Sequence, residues 1–124
     1  MLRMLTVLLA GLSASIVQAE LTVQLKIHDE AGNPLPCRIH VTNEAGNPVF
    51  ADGLPSWRDH FVCDGTARLS VPGGKYSYVV ERGKEYLPVS GSFTIDGSDA
   101  AISVTLQRGI HMAKHGWWSG ELHV

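Results

Sequence analysis

The stretch LTVQLKIH, Leu21 to His28, decides the fold. Leu21, Val23, Leu25 and Ile27 take every second place, and Thr22, Gln24, Lys26 and His28 fill the places between. Side chains of an extended chain point alternately to opposite faces, so the pattern predicts a strand with one face in a core and the other in water. An apolar face of that kind needs a second one to cover it.

The neighbouring segments supply it. DEAGNP at 29–34 reads as a turn, where Gly32 is free to take a positive φ and Pro34 lacks the amide hydrogen that continued pairing would use. Cys37, Ile39 and Val41 then alternate with Arg38, His40 and Thr42. NEAGNP at 43–48 nearly copies the first turn, and the spacing of the copies equals one strand plus one turn. Similar loops at opposite ends of the second strand are expected, not a solenoid repeat. Val49-Phe50 opens a short third strand. Further alternation follows in Ala67/Leu69/Val71, Tyr76/Tyr78/Val80, Phe93/Ile95 and Ile102/Val104/Leu106. Residues 51–65, ADGLPSWRDHFVCDG, break the pattern and predict a long excursion pinned by Trp57, Phe61 and Val62. An all-β, two-sheet β-sandwich of six or seven strands is expected, and a closed barrel suits the 51–65 segment less well.

The 124 residues carry a formal charge of -2, with 18% charged and 44% hydrophobic, which is a globular composition. The lack of a basic run argues against nucleic acid or anionic lipid as partners. Arg3 precedes the apolar run Met4–Leu12, and Val17 and Ala19 occupy the -3 and -1 places of a cut before Glu20. Residues 1–19 are therefore expected to be a signal peptide that sends the chain to the periplasm or the extracellular medium. The apolar run is too short for a stable membrane span. In an oxidising compartment Cys37 and Cys63 either pair as a disulfide, if folding brings them within reach, or stay buried as free thiols.

Polar groupings outside the core are Asp59-His60 with Asp64, and Glu81, Arg82, Lys84 and Glu85. A carboxylate beside an imidazole suits base chemistry, but strand neighbours point opposite ways and no serine or cysteine is placed to give up a proton. No catalytic residue and no cofactor are expected in this chain. His28 and His40 are expected to face solvent, His60 to order the long loop, and Arg82 to pair with Glu85. Trp57, Tyr76, Tyr78 and Tyr86 are the aromatics a carbohydrate-binding face would draw on.

After Arg108-Gly109 the alternation stops and IHMAKHGWWSGELHV begins. Trp117 and Trp118 would leave a large apolar area in water, which predicts packing against a following domain or back onto the sandwich. Leu122 and Val124 alternate with Glu121 and His123. Two histidines at i and i+2 on a strand can bind one metal, but only His123 is present.

GWWSGELHV resembles the opening of the polymerase-and-histidinol-phosphatase (PHP) type metal-dependent hydrolases, in particular the CehA/McbA-like group, whose tryptophan-rich GWWSGDLHVH leads from a β-sandwich into a catalytic barrel. PLPCRIHV, HFVCDG, LSVPGGKYSYVVERGKEY and SGSFTI look like the leading domain of that group. The resemblance implies an Ig-like or transthyretin-like (carboxypeptidase-regulatory-like) sandwich over 20–108. It implies that 109–124 are a linker and the first strand of a metallohydrolase domain, with Trp117 and Trp118 in interdomain packing. His123 would be the first metal ligand of an incomplete site, and the full-length parent would carry zinc or manganese. Glu121 stands where aspartate is usual. The expected function is a non-catalytic accessory sandwich of a secreted metal-dependent (phospho)ester hydrolase, partnered by a C-terminal catalytic domain. The competing expectation is an independent secreted module that binds carbohydrate or protein.

Overall fold

The computed structural model describes residues 17–120; most of the expected leader lies outside the described residues, as do Glu121 and His123. Among the described residues nine strands form: β1 (Leu21–His28), β2 (Cys37–Asn43), β3 (Pro48–Val49), β4 (Ser56–Trp57), β5 (His60–Cys63), β6 (Thr66–Val71), β7 (Gly74–Glu81), β8 (Val89–Ile95) and β9 (Ala100–Thr105). In the smaller sheet β1 lies between β6, antiparallel, and β9, parallel. The larger sheet is antiparallel in the order β4-β5-β2-β7-β8, with β3 also beside β2.

The alternation read from the sequence is what joins the two sheets. Val23, Leu25, Ile27, Leu69 and Val104 face inward from the smaller sheet, and Ile39, Val41, Phe61, Val80 and Ile95 from the larger, in one buried cluster. Burying each such side chain contributes about 1.5–3 kcal/mol relative to leaving it in water. The architecture is an all-β sandwich, broadly Ig-like, with one mixed and one antiparallel sheet.

The two EAGNP copies fold alike. Asp29 Oδ1 accepts the amides of Ala31 and Asn33 at 2.9 and 2.8 Å, and Asn43 Oδ1 accepts that of Asn47 at 2.9 Å. In each loop the glycine N–H reaches back to the residue that starts it, Gly32 to Asp29 and Gly46 to Asn43, with φ of +86° and +81°.

The 51–65 segment is more regular than its sequence suggests. It contains β4 and β5, paired Ser56 with Phe61 and Trp57 with His60, around the two-residue turn Arg58-Asp59. Phe61 is fully buried, as expected, whereas Trp57 and Val62 are exposed. The cause is strand alternation: with Phe61 and Cys63 inward, Val62 must point out.

Candidate functional site: an aromatic groove and a histidine cluster

Beyond β7 the chain runs beside the segment that leaves β9. Leu87 N–H donates to the Gln107 carbonyl at 2.9 Å and Gly109 N–H to that of Glu85 at 2.8 Å. The carboxylate of Glu85 ties this seam to the tail, accepting from the Arg108 guanidinium and, at 3.0 Å, from the Met112 amide. Its pKa lies below the usual glutamate value, chiefly through the Arg108 hydrogen bond. Met112–His115 form one 3-10 turn, which ends at Gly116 with φ +76°. Trp117 N–H returns to the Met112 carbonyl at 3.1 Å.

The tail thereby presents Trp117 and Trp118 to solvent, 67% and 84% exposed, rather than folding them into the core. Together with Tyr86, Arg108, Ile110 and Met112 they line an open groove of about 830 Å³. The Arg82 and Arg108 guanidinium carbons stand 5.5 and 5.4 Å from the centre of the Tyr86 ring, within cation–π range. Arg82 does not pair with Glu85 as expected; it donates to the Pro36 carbonyl, because Glu85 is drawn toward Arg108 and Met112. Of the other aromatics expected for a carbohydrate face, Tyr76 is buried with its hydroxyl donating to the Pro72 carbonyl at 2.7 Å, and Tyr78 packs against Phe93.

A second site lies on the outer face of the larger sheet. His40 projects outward between buried Ile39 and Val41, and His60 outward beside buried Phe61, so β2 and β5 set the two imidazoles side by side with ring centres 5.2 Å apart. Asp59 sits in the turn, where strand alternation does not apply, and its carboxylate reaches both rings: Oδ1 is 3.0 Å from His60 Nδ1 and Oδ2 3.5 Å from His40 Nδ1. The Asp59 pKa is lowered, first by the His60 hydrogen bond. On the other side of His40, Nε2 is 3.5 Å from Glu81 Oε2. Glu81 accepts from Arg38 Nε at 3.0 Å, which is the main cause of its own depressed pKa. Asp59 and His60 are grouped by the sequence alone; the residue it does not bring to them is His40. The only signal was the possibility that Arg58-Asp59 form a turn, and Arg58 (φ +52°) is the sole non-glycine with positive φ among the described residues.

His40, Asp59 and His60 each offer a ligand atom within 4.8 Å of the others, an arrangement able to hold a metal ion. This corrects the expectation that the chain carries no cofactor site of its own. The site depends on the pairing of β2 with β5, which brings His40 beside His60 from twenty residues away.

Cys37 and Cys63 are register partners on β2 and β5, free thiols with their sulfurs 3.5 Å apart in the core. The hydrogen bond from Cys37 draws the Cys63 thiol down to about 7, and the same bond, with burial, holds Cys37 far up.

No protein-family model and no curated protein matches the chain. Solved structures do. The Bacillus anthracis TIE protein superimposes with a TM-score of 0.55 at 20% identity over 73% of this chain. A pilus-presented adhesin, Spy0125 (Cpa), gives 0.45 at 18% identity over 75%. This chain spans only 17% and 28% of those two chains, and the likeness is one of fold. These findings correct the reading as a hydrolase-accessory domain. No PHP, metallohydrolase or carboxypeptidase-regulatory model matches, the likeness to the TIE protein is one of fold, and a metal-competent cluster lies on the outer face of the sandwich itself.

Proposed function

We propose that this chain is an independent, exported binding module whose ligand is carbohydrate, held in the groove between the 82–86 segment and the tail. The observation that carries this reading is the pair of exposed indoles, Trp117 and Trp118, set beside Tyr86 along an open channel rimmed by charged side chains. Sugar rings present flat C–H faces to aromatic planes and hydroxyls to charged and hydroxyl groups at the edge. Arg82, Lys84 and Ser119 line the groove and supply such groups. A concave site with a few placed polar groups is the usual form of a small-ligand site, and Tyr and Trp combine large contact area with a polar tip. The leader-like residues 1–19 support the export of this module; no helix among the described residues is long and apolar enough to cross a membrane.

The test is a glycan array probed with the exported chain, followed by tryptophan-fluorescence titration of any oligosaccharide that binds. Binding that quenches indole fluorescence and falls at least about tenfold in Trp118→Ala supports the reading, a loss of the size seen for central aromatic contacts. An array with no bound glycan, or binding indifferent to Trp117→Ala and Trp118→Ala, overturns it.

A further inference from the structure

His40, Asp59, His60 and Glu81 line no part of the groove and stand outside the buried core. We propose that His40, Asp59 and His60 bind a divalent transition-metal ion, zinc in the first instance, and that the ion clasps the β4–β5 hairpin to β2. The site stands independently of carbohydrate binding.

The geometry fits before any ion enters. Zinc bonds to imidazole nitrogen and carboxylate oxygen are about 2.0–2.1 Å, so the edges of a tetrahedral ligand set are about 3.4 Å. His60 Nδ1 is 3.0 Å from Asp59 Oδ1 and His40 Nδ1 3.5 Å from Oδ2, and one ligand atom from each of the three residues lies within 4.8 Å of the others, so small side-chain rotations close the set on an ion. Both histidines therefore offer Nδ1 to the same space, and their rings are only 18% and 25% exposed, which limits the rotamer freedom lost on binding. On entry of the ion, His60 takes up the tautomer with its proton on Nε2, by exchange with solvent, and the Nδ1 lone pair that this frees binds the metal. The two imidazoles favour zinc or copper over magnesium and calcium, which prefer oxygen. Three protein ligands leave a fourth position for water.

Glu81 approaches His40 at Nε2, the nitrogen that does not face Asp59. A proton on Nε2 then points at a carboxylate, and Nδ1 is left unprotonated toward the ion. Metal-bound histidines commonly have their other nitrogen held in this way. Arg38 fixes the Glu81 carboxylate in turn. Glu81 is thus a positioning residue, not a ligand.

The buried thiols could also take up zinc, so the experiment uses the Cys37→Ala/Cys63→Ala chain in parallel with the parent. Calorimetric titration with zinc chloride is expected to show one equivalent in both, with no comparable uptake of magnesium. His60→Ala and Asp59→Asn should abolish it, and Glu81→Gln should weaken it about ten- to a hundredfold. Cobalt(II) should give a tetrahedral d–d absorption that His60→Ala removes. Zinc should also slow tryptic cleavage after Arg58, in the turn next to Asp59. Circular dichroism verifies that each variant is folded, and Asp59→Asn, altered only in an exposed turn, serves if His60→Ala is not. Uptake that persists in His60→Ala and Asp59→Asn, or disappears only in the cysteine variant, overturns the proposal, as does an absence of stoichiometric binding.

Discussion

Cys37 and Cys63 face one another across β2 and β5 with their sulfurs 3.5 Å apart. A disulfide would need them about 2.0 Å apart, within reach of small side-chain rotations. With Cys63 drawn down to about 7, a thiolate is present near neutral pH to attack a disulfide donor such as oxidised glutathione. The bridge would close a loop between positions 26 residues apart, worth about 3.5 kcal/mol on the loop-entropy account. The oxidised chain should lose the mass of two hydrogens and melt at a higher temperature, and reductant should reverse both. A Cys37→Ala/Cys63→Ala chain should melt at the same temperature with or without reductant.

Gly65 should not accept a side chain. Its φ is +116°, and a Cβ there would stand 2.8 Å from the Leu35 amide nitrogen and 3.0 Å from the Ile27 carbonyl oxygen. Those backbone atoms are fixed by their own bonds, Ile27 N–H to the Gly65 carbonyl and Leu35 N–H to the Ile27 carbonyl. Gly65→Ala is expected to lower the free energy of unfolding by at least about 2 kcal/mol, read from urea midpoints.

Arg58 makes the opposite case. It holds a left-handed φ of +52° at the first position of a two-residue hairpin, where glycine is favoured. Arg58→Gly should raise stability by about 0.5–1 kcal/mol, offset in part by the lost approach of the guanidinium to the Trp57 ring. A lower urea midpoint would mean that the arginine contributes more through that contact than its backbone costs.

Acid should loosen the structure from its surface ion pairs. Asp59, Glu81 and Glu85 all have carboxyl pKa values below their ordinary 3.8 and 4.5, held down chiefly by His60, Arg38 and Arg108 respectively. Such groups bind protons more readily in the unfolded chain. Their contribution is therefore complete above the ordinary values and is lost as pH falls through the depressed ones. Urea midpoints should be flat from about pH 7 to about pH 5 and decline below about pH 4. All three carboxylates are solvent-accessible, so the decline should be modest and shallower still in Glu85→Gln.

Much of the fold was legible because the chain alternates so cleanly. Val23, Leu25 and Ile27 are buried while Lys26 is exposed, and Ile39 and Val41 are buried on either side of His40. The turns were legible too, since Asp29 and Asn43 each accept the backbone amide four residues on, from Asn33 and Asn47. What escaped was set by pairings distant in sequence. The two-residue strand β4 has no periodicity to detect, and it is the hairpin it forms that lifts Asp59 over His40. Likewise, nothing in VVERGKEY tells that Glu85 turns to Arg108 instead of Arg82; that follows from the 85–87 segment lying beside 107–110. Trp117 and Trp118 read as residues that pack against a following domain or back onto the sandwich, and nothing in the sequence tells that a single 3-10 turn aims them along a groove.

The place of β1 in its sheet governs the order of assembly. Its residues pair with 66–71 on one edge and, from Val23 to His28, with Ala100 to Thr105 on the other. Among the described strands the first to be synthesised therefore waits for the last before both its edges are satisfied. Folding should come late and all at once, at the slow end for a domain of this size. Until then the nascent chain carries an open edge that any factor escorting it could grasp.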